Sequence, residues 1–93
     1  MSSGYPDVCP TLRRGDTAVG FSPSPSGCHV RVWWSENGEP IGAYPSTERA
    51  VEAGLAAVHH DNPDYACNSD EVRHETGRIG AVLAAVDWYA LGW

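Results

Sequence analysis

Apolar and polar side chains alternate from Cys28 to Trp34, with Val30, Val32 and Trp34 on one side and His29, Arg31 and Trp33 on the other. That is the period of a strand with one buried face. Ile41-Gly-Ala-Tyr44 offers a partner strand, and Asn37-Gly38 between them signals a hairpin, because both residues tolerate positive φ. A two-residue loop sets Trp34 opposite Ile41, Val32 opposite Ala43 and Arg31 opposite Tyr44. A three-residue loop, with Gly38 in a bulge, shifts the pairing by one and turns Tyr44 to the other face. Trp33 lies opposite to Val30, Val32 and Trp34 in both registers. Upstream, Thr17-Ala-Val-Gly-Phe21 permits a third strand, with Thr17, Val19 and Phe21 sharing a face.

The pattern then changes to a helical one. Ser46 or Thr47 is an N-cap candidate with Glu48 in the first turn, and Val51, Leu55 and Val58 form an apolar stripe. This helix should span about 47–60, because Asp61-Asn62-Pro63 cannot continue it. A second helix, about 69–90, opens at Asn68 or Ser69 and carries Val72, Thr76, Ile79, Leu83, Val86 and Ala90 in a heptad-like seam, with Trp93 next in phase. Gly77, Gly80, Ala81, Ala84 and Ala85 are small enough to admit a neighbouring backbone there. The predicted fold is α+β: a small antiparallel sheet, hairpin 28–44 plus the strand at 17–21, packed against two helices. The predicted core is Val19, Phe21, Val30, Val32, Trp34, Ile41, Val51, Leu55, Val58, Ile79, Leu83 and Val86.

Residues 1–16 have no period and are rich in Pro, Gly, Ser and Asp. They read as an irregular lead-in to a single α+β domain at 17–93, with Arg13-Arg14-Gly15-Asp16 as turn chemistry. Ser22-Pro-Ser-Pro-Ser-Gly27 reads as an extended connector. The 93-residue length suits one domain.

Composition narrows the function. The formal charge is −6 and the pI about 4.9, which disfavours a coat for anionic membrane or a non-specific nucleic-acid binder. It suits an acidic protein that contacts a basic partner. All six basic residues are arginine and alanine is abundant, a coding bias of GC-rich bacteria such as actinobacteria, or their phages. No secretory signal or spanning stretch is evident, and three scattered cysteines, Cys9, Cys28 and Cys67, do not form a disulfide framework. The expectation is a soluble, cytoplasmic protein.

Chemical motifs are weak. Cys28-His29, His59-His60 and the steps Cys67, Glu71, His74 could gather metal ligands, yet no Cys-x-x-Cys or His-x-x-x-His pair announces zinc. No metal or cofactor is therefore expected. Ser69, Asp70 and His74, or Cys67 with a histidine, form no recognisable nucleophile motif, and the expectation is not an enzyme. For nucleic acid, Arg31 and Trp33 share a strand face with His29 and, in one register, Tyr44. The strand–hairpin–helix order resembles the small three-stranded DNA-binding modules of phage-type integrases, whose sheets are basic. Here Arg31 stands against Glu36 and Glu39.

The function expected is a small acidic, non-catalytic binding module for another protein, of the host-directed or regulatory kind found in phages and mobile elements. Nucleic-acid binding through the hairpin and Cys/His metal binding are the alternatives. Partner contact is expected at Trp33, Arg31, His29 and Tyr44, with Trp33 as an exposed hot spot; its other reading is a structural lid over Gly42. Trp88, Tyr89, Leu91 and Trp93 carry too much apolar surface to leave in water. They fold back on the domain or are buried in a homodimer, which the heptad-like seam slightly favours.

Overall fold

The computed structural model describes residues 9–24, 29–60, 69–88 and 90. Four strands in the order β1-β2-β3-β4, β1 Thr11–Arg14, β2 Thr17–Pro23, β3 Val30–Trp34 and β4 Pro40–Tyr44, form an antiparallel meander. Helices α1 (Thr47–His60) and α2 (Ser69–Ala85) follow, and the fold is α+β as predicted. The fourth strand is the difference. Thr11–Arg14 pairs with β2 across Gly15-Asp16, Arg14 facing Thr17, and Gly15 takes the positive φ of 61° that this turn needs. The stretch read as lead-in thus contributes Leu12, fully buried.

Pleating sends Leu12, Val19, Phe21 and Val32 to one face, where they meet Ala50, Val51, Leu55 and Val58 of α1 and Ile79 of α2. Gly54 lets α1 come close: a Cβ there would stand 2.8 Å from the Phe21 ring and 3.2 Å from Val19. Ser46 caps α1, its Oγ accepting from the Arg49 N–H at 3.2 Å. Val30, Trp34, Ile41 and Leu83 pack at the margin of the core, half-buried.

The hairpin takes neither predicted loop. Trp34 N–H donates to Glu39 O at 2.9 Å, so the loop is Ser35–Gly38, with Gly38 at φ 74° and its N–H on Trp34 O. A bulge follows: Trp33 faces Pro40 but Val32 faces Gly42, leaving Ile41 as the extra residue. Its effect is on the core. Strict alternation would put Ile41 and Tyr44 on opposite faces, whereas with the bulge both pack against the core cluster.

Helix α2 ends five residues earlier than the seam predicts, at Ala85 rather than 90. The Trp88 indole N–H turns back onto the Leu83 carbonyl at 2.8 Å, and Asp87 Oδ1 accepts from the Ala90 N–H at 3.2 Å. The first satisfies a carbonyl at the helix end and the second belongs to a separate turn beyond it. The small residues are not a packing seam either. Gly77, Ala81 and Ala84 are exposed, and Gly80 looks only toward Thr47. No helix among the described residues is long and apolar enough to cross a membrane.

Candidate functional site

Of the four predicted contact residues, Arg31 and Trp33 share a face while Tyr44 and His29 lie apart from them. Arg31 is exposed on the sheet face away from the helices, level with Ser22 and Ala43. Trp33 shares that face but is only 7 % exposed. Its six-membered ring lies across Gly20 of β2, where a Cβ would fall 2.3–2.6 Å from three ring atoms, and its N–H donates to Ser22 Oγ at 3.2 Å. This burial fits the lid geometry, with Gly20 rather than Gly42 beneath the ring. Tyr44 faces Val30 on the helix side, its ring over Gly42. The bulge that sends it there removes it from Arg31 and Trp33. His29 lies at the far end of β3, lining a groove with Leu83 and the half-buried Trp88. Cys28, Cys67, Tyr89, Leu91 and Trp93 lie outside the described residues, as does any approach of Cys67 to His74.

The strongest polar constellation was not visible in the sequence. Arg14 is two residues on from Leu12 and so shares its face, the helix side of β1. Its Nε and Nη2 reach Glu71 Oε2 at 2.9 and 2.8 Å, and Nη2 also reaches Glu75 Oε2 at 2.8 Å. Arg78 Nε donates to Glu75 Oε1 at 2.6 Å, and its Nη2 to Thr11 O at 2.8 Å. His59 Nε2 stands 3.3 Å from Glu71 Oε2. Burial alone would raise the Glu75 carboxyl, but hydrogen bonds from Arg14 and Arg78 outweigh it and hold the group below the usual carboxylate range. The Arg14 guanidinium is held more firmly protonated, chiefly by its hydrogen bond to Glu75. Every charge here has a counter-charge, and the cluster ties β1 to α1 and α2. It is a clamp.

Among the described residues no three His, Cys, Asp or Glu side chains are placed to share an ion. Cys9 is buried, which raises its thiol pKa and disfavours the thiolate.

A groove of about 630 Å3 runs along the turn end of the sheet, between the β1–β2 and β3–β4 loops. Half-buried Trp34 forms part of its wall. The exposed carboxylates of Asp16, Glu36 and Glu39 surround it, with Arg13 as the one cation of the lining. None of these three carboxylates forms an ion pair among the described residues. The hairpin loop is held in shape by the Glu39 N–H on Asn37 Oδ1 at 2.9 Å. A sequence reading that set Glu36 and Glu39 only against Arg31 missed that they share one groove lining with Trp34.

Comparison with known proteins gives no match to a family model, to a curated protein or to a solved structure.

Proposed function

We propose that this domain is a non-catalytic protein-binding module, and that its contact surface is the turn-end groove rather than the outer face of β3. The observation that supports this is a groove whose lining joins half-buried Trp34 to three carboxylates without ion pairs among the described residues. A tryptophan beside carboxylates suits an arginine or lysine side chain, which gains from the charge and, where it reaches the ring, from the ring quadrupole. The same charges repel phosphate, so the groove argues for a basic protein segment over nucleic acid. Arg31 and Arg13 are too few to carry a phosphate-binding surface.

The test uses a short, extended arginine-rich peptide and a single-stranded oligonucleotide of equal length. Amide and indole chemical shifts of the uniformly labelled protein follow each titration. The peptide should move Trp34, Glu36, Glu39 and Asp16 as one group, and the exposed double substitution Glu36→Gln/Glu39→Gln should weaken it without altering the fold. Binding of the oligonucleotide, with an affinity that drops steeply with salt, would overturn the reading in favour of nucleic acid. Peptide shifts spread away from the groove would overturn the site.

A further inference from the structure

A four-stranded meander has two edges, and this chain treats both. On β2 and β3 the bonds Ser24 N–H to His29 O and Ser35 N–H to Ala18 O fix which main-chain groups join those strands. Antiparallel alternation then assigns the rest. Along β4, Pro40 faces Trp33 at a position whose N–H would point outward, but proline has none. The bulge at Ile41 and Pro45 just beyond the strand leave Ala43 as the outward donor of β4. That edge is blunted by its own sequence.

Among the described residues the β1 edge has no such device. Phe21 N–H bonds Pro10 O at 3.0 Å, so Leu12 and Arg14 turn their main-chain groups toward β2 and Thr11 and Arg13 turn theirs outward. Both outward carbonyls are occupied by guanidinium groups. Arg78 Nη2 holds Thr11 O, and Arg14 Nη1 holds Arg13 O, each at 2.8 Å. The Arg78 side chain is itself 43 % exposed, so it can leave the edge without unpacking the core. We infer that Arg78 is the guard of the β1 edge, and that when its guanidinium leaves Thr11 the edge pairs antiparallel with β1 of a second copy.

A second copy is the occupant that the strand itself specifies. A dyad through Leu12 sets Thr11 opposite Arg13 of the other copy, so each outward donor meets an outward acceptor and no arginine directly faces its equivalent. The β4 edge offers no comparable row. This inference is independent of the turn-end groove, which lies on the loops.

Sedimentation over a concentration series at neutral pH compares the full chain with Arg78→Ala. The variant should self-associate roughly tenfold more strongly, the scale of the one net hydrogen bond that the wild-type guard must give up. Hydrogen exchange should show the Thr11 and Arg13 amides newly protected in the associated form. Adding Thr11→Pro, which deletes an outward donor and spares every β1–β2 bond, should return the variant to wild-type behaviour. Arg78→Lys carries the test if the alanine variant fails to fold, since lysine can still pair with Glu75 but cannot span to Thr11 as the fork does. Wild-type sedimentation of the folded Arg78 variant would overturn the inference, and so would association that Thr11→Pro leaves intact.

Discussion

Adding one methyl group at Gly20 tests the placement of Trp33 more sharply than removing the indole does. In an ordinary strand position Gly→Ala stabilises by about 0.5–1 kcal/mol, because the unfolded chain loses freedom. Here the new Cβ would lie 2.3–2.6 Å from three atoms of the Trp33 ring. The ring cannot simply slide, since its N–H is held by Ser22 Oγ. Overpacking of this kind costs about 1–3 kcal/mol. In a Trp33→Leu background the obstructing ring is gone, and the same change should regain its ordinary sign. The cycle of wild type, both singles and the double should therefore show a coupling of about 1.5–4 kcal/mol. Urea unfolding followed by far-ultraviolet circular dichroism measures all four, and avoids relying on the fluorescence of a residue being replaced. If Gly20→Ala has the same effect in both backgrounds, the indole does not rest on Gly20, and the exposed hot-spot reading of Trp33 returns.

Trp33→Ala itself should destabilise by about 3–5 kcal/mol while leaving groove binding of the arginine-rich peptide unchanged in the folded fraction. Thermal melts with parallel peptide titrations separate the two effects. Glu75→Gln should cost about 1.5–3 kcal/mol at neutral pH, the range for hydrogen bonds to a charged group. Because the folded Glu75 carboxyl sits below its ordinary value, its contribution is complete above the normal carboxylate range and is lost as pH falls through the depressed folded value. Urea midpoints from pH 7 down to pH 3 should therefore fall less in the variant than in the wild type. Gly77→Ala should stabilise by about 0.8–1 kcal/mol, since a Cβ there meets nothing within 4 Å; a lowered melting temperature would show that α2 packs on a partner through that face. The melting temperature should be the same with and without a chelator, and elemental analysis showing a stoichiometric metal lost together with the fold would refute this.

Local pattern was enough for the elements whose burial repeats along the chain. The strand patterns of β2 and β3, a cap at Ser46 or Thr47 and the Val51–Leu55–Val58 stripe are properties of neighbouring residues; the chain folds them, with β2 running on to Pro23 in the stretch read as connector and Ser46 as the cap. The face of Trp33 was also legible, because pleating assigns it whatever the hairpin register. Its burial was not, since that depends on Gly20 standing opposite on another strand. Strand β1 was hidden for a related reason: four residues hold too little period, and Leu12 reads as core only once it faces Val19. Tyr44 turned on a single extra residue, because one bulge reverses every later side chain. The clamp lay furthest from reach. Arg14 and Glu71 are 57 residues apart, and each alone resembles a solvated surface charge. What joins them is the reach of side chains between β1 and α2, which no neighbour in the chain records. Periodicity reports which face a residue takes, while contacts between distant elements decide what that face meets.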